Sequence, residues 1–247
     1  MANFNFSLQN NPEIAISEQD GVRQLHLGGS MIQSAMRIDA PNELELIYTQ
    51  CMMGFLLFHP QPKHVLMIGL GGGSLAKFVY RYLPETRVTV VEPYYQVIMA
   101  AYHYFQVPKD DPRLTIVQSE GAQYVAEESI SADIVMVDGF DDDYQVQSLC
   151  SQGFYDQIKQ ILNKNGILVV NLLSRDKHLK TLLQRIEVCF DGHIIAMMAE
   201  IRGNLIVFAF KNNPGKLSWK VIRKRARQLE LHYPLPFAHF VTKLQKY

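Results

Sequence analysis

The segment VLMIGLGGGSLAKF, residues 65–78, does most to limit what this chain can fold into. An apolar run of strand length meets glycines at 69, 71, 72 and 73 and then gives way to a helical pattern. Positions without a side chain let the backbone approach a bound nucleoside, and the helix start behind them offers unpaired N–H groups. Glycine turns between strand and helix also arise for structural reasons alone, so the spacing beyond this one matters. Glu92 lies 21 residues after Gly71, at the end of the next predicted strand, where a carboxylate accepts from both ribose hydroxyls. Gly69, Gly71, Gly73 and Glu92 together predict a nucleoside site.

Around this turn the pattern of apolar strand, turn and helix repeats, as it does in a parallel sheet covered on both faces. Strands are predicted at 64–68, 87–91, 114–118, 134–137 and 166–172, with helices near 74–83, 94–105, 121–128 and 151–163. Two more apolar segments, 194–199 and 205–210, flank a turn and should pair antiparallel. The expected fold is α/β and Rossmann-like, of the S-adenosylmethionine-dependent methyltransferase type, with a seven-stranded sheet whose last strand is antiparallel. Ahead of it, alternation at 13–17 and 22–27 predicts a β-hairpin, and 42–58 a linking helix that ends before the breaker string HPQPK. The expected division is a short hairpin region at 1–40 and a nucleoside-binding catalytic domain at 41–247.

The sequence of 247 residues is 48% hydrophobic, enough for one sizeable core. Its 24 basic and 24 acidic side chains balance, so no global field favours nucleic acid or a membrane surface, and a small-molecule partner is expected. The basic run at 220–227 reads as a solvated helix face. Three cysteines, Cys51, Cys150 and Cys189, and scattered histidines show neither metal-ligand nor redox spacing. No metal is expected. The amino end has no signal-peptide pattern, and no apolar run reaches the roughly 20 residues that span a bilayer. A cytoplasmic protein is therefore expected.

The remaining acids cluster at predicted strand ends. Glu120 follows the third strand, where the rim of such a crevice meets an adenine ring, although an acid at a helix start also complements the helix dipole. The fourth strand runs into DIVMVDGFDDDY, which puts Asp138 and Asp141 at the carboxyl edge of the sheet, where ligands of open α/β sheets bind. Clustered carboxylates there attract a cation and accept a proton from an attacking amine. Asp142 and Asp143 read as solvent-facing.

In order and spacing, PKHVLMIGLGGGSL, VTVVEPYYQVI, RLTIVQSEGAQYV and ADIVMVDGFDD resemble the spermidine synthase (polyamine aminopropyltransferase) family, over about 13–210. VRQLHLGGSMIQSAM is similar to that family's amino-terminal segment, ending in a nucleoside-contacting glutamine, here Gln33, and LELIYTQCM places Tyr48 at its substrate-facing tyrosine. The resemblance implies transfer of an aminopropyl group from decarboxylated S-adenosylmethionine to a diamine, with methylthioadenosine released. It further implies Asp138 steering a proton, Asp141 holding an ammonium, and a homodimer, for which the hairpin and the apolar helix at 44–58 are candidate contacts, although apolar surface there would equally serve as intramolecular core. Three departures stand out. The family turn carries an aspartate where this chain has Gly72, Glu120 replaces an aspartate, and AEIRGN replaces a tyrosine-containing segment at the diamine site. Methyl transfer from intact S-adenosylmethionine, or a non-catalytic nucleoside-binding relative, are the alternative readings.

Overall fold

A computed structural model describes residues 13–29, 31–127, 129–141, 144–200 and 203–246. Three strands, β1 (Ile14–Gln19), β2 (Val22–Leu27) and β3 (Ile32–Arg37), form a small antiparallel sheet. The expected hairpin thus gains a third strand. Leu25 and Met36 of this sheet bury against Ala100 and Phe105 of the larger unit.

Next comes α1 (Ile47–Met52), which tightens into a 3-10 turn at Met53–Leu57, so the helix expected over 42–58 is shorter. The tightening occurs where the backbone passes close to the sheet. A Cβ on Gly54 would lie 3.0 Å from the Phe208 ring and 3.1 Å from Met197 Cε. Cys51, Met52, Met53, Phe55, Leu56 and Leu57 are fully buried inside the chain's own core, the intramolecular alternative for the apolar stretch at 44–58, and Ile47 is the large apolar side chain exposed there.

The central part alternates as expected through β4 (His64–Ile68), α2 (Ser74–Tyr82), β5 (Arg87–Glu92), α3 (Tyr95–Tyr104), β6 (Leu114–Gln118), α4 (Gly121–Glu127) and β7 (Ala132–Val137). After the two-residue strands β8 (Phe140–Asp141) and β9 (Tyr144–Gln145) come α5 (Gln152–Ile161) and β10 (Leu162–Leu173). The Ser151 hydroxyl caps α5 by accepting from Phe154 N at 3.1 Å, which stops it from beginning earlier. The chain continues with α6 (Leu179–Cys189), β11 (Ile194–Met198), β12 (Asn204–Phe210), α7 (Trp219–Leu229), α8 (Phe237–Lys243) and β13 (Leu244–Lys246).

The main sheet has the order β13-β11-β12-β10-β7-β4-β5-β6. Strands β6, β5, β4, β7 and β10 run parallel, and β12 lies antiparallel between β10 and β11. The seven expected strands are present, and β13 adds an eighth at the edge through Ile195, Ala196 and Met197 of β11. Alternate residues fill opposite layers. Val65, Met67, Val88, Val90, Ile134 and Met136 join a core with α2, α7 and α8, whereas Leu66, Ile68, Val91, Val135 and Val137 join one with α5 and α6. Burial on both faces explains why these strands read as continuous apolar runs. After β6 the chain returns to the other side of β4, so a crevice opens between the carboxyl ends of β4 and β7. Among the described residues no helix is long and apolar enough to cross a membrane, and no group of three or more His, Cys, Asp or Glu is arranged to hold a metal ion.

Candidate active site

The crevice is a cavity of about 530 Å³ at the carboxyl edge of the sheet, closed from above by β3 and by the start of α1. Gln33, Tyr48, Gly69, Gly71, Glu92, Glu120 and Asp138 all line it. Gly73 does not: it precedes α2 and packs on Val107 instead. Asp141 continues the chain beyond β7 in β8, and its side chain, like Asp142 and Asp143, lies outside the described residues.

The glycine turn is dictated by its neighbours. Gly69 has φ +99° and donates its N–H to Val91 O at 2.9 Å. A Cβ there would overlap the Asp138 carbonyl oxygen, because Asp138 N is held on Ile68 O at 3.0 Å. The two strand ends are thus drawn together with room for hydrogen alone. At Gly72 the constraint comes from the opposite side, where a Cβ would lie 2.7 Å from Ser34 Oγ and 2.8 Å from the Phe105 ring.

Glu92 ends β5 beneath this turn and is 5% exposed. Its Oε2 accepts from Leu70 N at 2.9 Å and its Oε1 from Tyr94 N at 3.1 Å. Burial pushes the carboxyl up to about 7, a rise that Glu120 adds to and that the N–H donors of Leu70, Tyr94 and Gly71 oppose. Such a carboxylate, buried and pinned by backbone donors, is suited to accepting hydroxyls. Glu120 stands exposed on the cavity rim, ahead of α4.

At the other end of the cavity, Val137 of β7 pairs with Val170 of β10, which brings the next residues, Asp138 and Asn171, abreast. Asn171 Nδ2 donates to Asp138 Oδ1 at 2.8 Å, and Asn204 Nδ2 donates to Asn171 Oδ1 at 2.9 Å. The Tyr48 hydroxyl donates to Asp138 from α1. Burial raises the Asp138 carboxyl above the usual range, and these two donors counter it. Tyr48 is raised well above an ordinary phenol, first by burial and then by the Asp138 charge beside it, so it stays protonated and donates. Asn171 and Asn204 were not singled out from the sequence. The available signal was an amide inside the otherwise apolar run of β10, since a buried polar side chain requires a partner.

Carboxylates dominate the charged groups of the lining: Glu45, Glu92, Glu120, Asp138 and Glu200 stand against Arg175. Leu27, Met31 and Ile32 add an apolar lip. The cavity can thus hold a nucleoside at the glycine turn, take positive charge along its length and offer a proton acceptor at Asp138.

Known proteins share this architecture. The Spermine/spermidine synthase domain family matches residues 45–213. A polyamine aminopropyltransferase of Chromobacterium violaceum is 41% identical over 235 residues, spanning 95% of this chain and 90% of its own. A spermidine synthase solved in complex with the transition state analogue AdoDATO superposes with TM-score 0.71 at 23% identity, covering 93% of this chain and 84% of its own; at that identity the likeness is one of fold. Human methyltransferase-like protein 13, solved in complex with SAH, superposes with TM-score 0.68 at 25% identity, over 76% of this chain and 92% of its own. The family match and the full-length relative agree with the order of motifs along the sequence, and the chain belongs to the spermine/spermidine synthase family.

Proposed function

We propose that this chain is a transferase that moves an aminopropyl group from decarboxylated S-adenosylmethionine to a diamine or polyamine, releasing methylthioadenosine. The observation that carries this reading is the single cavity that joins the glycine turn and Glu92 to the Tyr48–Asp138–Asn171 cluster. In the reaction an amine nitrogen forms a bond to the carbon attached to the sulfonium sulfur. The carbon–sulfur bond breaks, its electron pair stays on sulfur, and a proton leaves the nitrogen. The protein's work is to orient two cations and keep the nucleophile unprotonated.

Each residue supports a share of that work. Gly69 and Gly71 admit the nucleoside to the backbone, Glu92 accepts the ribose hydroxyls, Gln33 contacts the nucleoside from β3, and Glu120 accepts from the adenine amine. Asp138 takes the proton, with Tyr48 fixing its carboxylate. Asp141 holds an ammonium of the acceptor. Methyl transfer from S-adenosylmethionine is the second reading, favoured by the fold shared with the human methyltransferase-like protein.

Calorimetric titration with methylthioadenosine, decarboxylated S-adenosylmethionine and S-adenosylmethionine, each separately, decides between the two. Tighter binding of the decarboxylated donor is expected, and a preference for S-adenosylmethionine overturns the proposal in favour of methyl transfer. Asp138→Asn should bind methylthioadenosine as wild type does and lose about 10²–10⁴-fold in turnover. Equal loss of binding would move Asp138 to the nucleoside site.

A further inference from the structure

We infer that Asn171 and Asn204 are a positioning pair: Asn204 locks the Asn171 amide in the one orientation that donates to Asp138, and so keeps Asp138 a proton acceptor. The inference rests on Asp138 being the base proposed above. An amide side chain has a donor end and an acceptor end of nearly equal shape, so a lone asparagine beside a carboxyl group can turn either way. With its nitrogen inward Asn171 favours the ionised carboxylate, whereas with its oxygen inward it favours the protonated acid, which alone could donate back. Asn171 is 1% exposed, so its two ends must find partners. Its Oδ1 is engaged by Asn204 Nδ2 at 2.9 Å, which leaves Nδ2 for Asp138 Oδ1 at 2.8 Å.

The place of Asn204 adds a reason for this arrangement. It opens β12 directly after the turn that carries Glu200 and Gly203, and all three line the cavity beyond Asp138. The backbone there is held without the Asn204 side chain, by Ala199 N on Asn204 O at 2.8 Å and Ser174 N on Gly203 O at 2.9 Å. Changing the side chain therefore tests the pair and not the turn. Tyr48 is the titratable side chain bonded to Asp138, and Glu45, Glu92, Glu120, Arg175 and Glu200 are the other described charged groups on the cavity wall.

The test compares kcat/KM against pH for wild type, Asn204→Ala and Asn204→Asp, with methylthioadenosine titration and melting temperature as controls. Asn204→Asp is nearly isosteric but only accepts, so it draws the Asn171 nitrogen toward itself and turns the oxygen onto Asp138, and its own negative charge disfavours ionised Asp138 in the same direction. The acidic limb should move up by about one unit or more, a loss of about tenfold below it that is recovered at high pH. Asn204→Ala frees the amide without reversing it, so its shift should be smaller, and both variants should keep wild-type affinity for methylthioadenosine. A merely structural role predicts the reverse order, with the isosteric Asp milder than Ala, or an equal loss at every pH; either result overturns the pair. Asp138→Asn run in parallel separates the two claims. Full turnover in that variant sinks the assignment of the base, whereas an inactive Asp138→Asn with an unmoved limb in Asn204→Asp sinks only the pair.

Discussion

Glu92→Gln should stabilise the ligand-free protein, and by an amount that depends on pH in a way that nothing else about the substitution can imitate. Burial lifts this carboxyl from its ordinary 4.5 to about 7. A carboxyl raised on folding is neutral in both states below the unfolded value, so the penalty is absent there. It grows as the unfolded chain ionises and the folded one does not, and it is complete once pH passes the folded value. Linkage then gives a cost of about 3 kcal/mol at pH 8 and about 1 kcal/mol at pH 5. Glutamine removes that cost but introduces another, because one of the N–H groups of Leu70 and Tyr94 loses its acceptor. The second cost does not vary with pH and cancels when the two conditions are compared. The gain in stability at pH 8 should therefore exceed that at pH 5 by about 2 kcal/mol, or roughly 4–8 °C in melting temperature for a chain of this size. Thermal melts of both proteins at pH 5, 6, 7 and 8 without ligand measure it. A displacement equal at all four values, or larger at pH 5, would refute the claim that burial of Glu92 sets its charge.

The same shift governs binding. If ionised Glu92 accepts the ribose, affinity for methylthioadenosine should rise about tenfold from pH 6 to pH 8, and the rise should vanish in Glu92→Gln, as calorimetry at the two values would record. The glycine turn should tolerate no side chain. Gly69→Ala combines φ +99° with overlap on the Asp138 carbonyl and should cost about 2–4 kcal/mol in denaturant unfolding, while Gly72→Asp, pressed on Ser34 and Phe105, should cost about 1–3 kcal/mol and bring no gain in turnover; a neutral outcome at either position would contradict the packing of the turn.

The parts of this molecule legible from sequence are those where one physical demand acts alone. Strands β4, β5 and β7 are buried on both faces, and a short, unbroken apolar run between turn residues fits little besides a strand covered in that way. Gly69 and Glu92 stood out because turn and ribose acid keep a fixed spacing across a single β–α–β unit. Elements that depend on distant partners were not legible. Strand β3 is defined by its pairing with β2, and β13 by three pairs with β11. The end of α1 is set by Phe208, some 150 residues away, through the bare Cα of Gly54. The amide chain from Asn204 to Asp138 is of the same kind, since it joins the ends of three strands that only the sheet order makes neighbours. Asp138 could be chosen for its place at a strand end, but the groups that set its proton affinity could not.

The distribution of charge about the cavity explains how those acids come to work together. At Gly72, where the family turn that this one resembles has an aspartate, a side chain would press on Ser34 and Phe105. Negative charge stands instead on the other walls, on Glu45, Glu92, Glu120, Asp138 and Glu200. Two of these, Glu92 and Asp138, are raised by burial, and their N–H and O–H donors oppose the rise. A cation within about 4–6 Å favours the charged form of a carboxylate. A sulfonium or an ammonium entering the cavity would therefore favour the ionised form of the acids proposed to bind the ribose and accept the proton. Burial disfavours the charged form of both carboxyls, and a cationic substrate beside them offsets that cost. Donor binding and base activation are on this account one electrostatic event at Asp138, and methylthioadenosine, which carries no sulfonium, should favour ionised Glu92 through the ribose without charging Asp138.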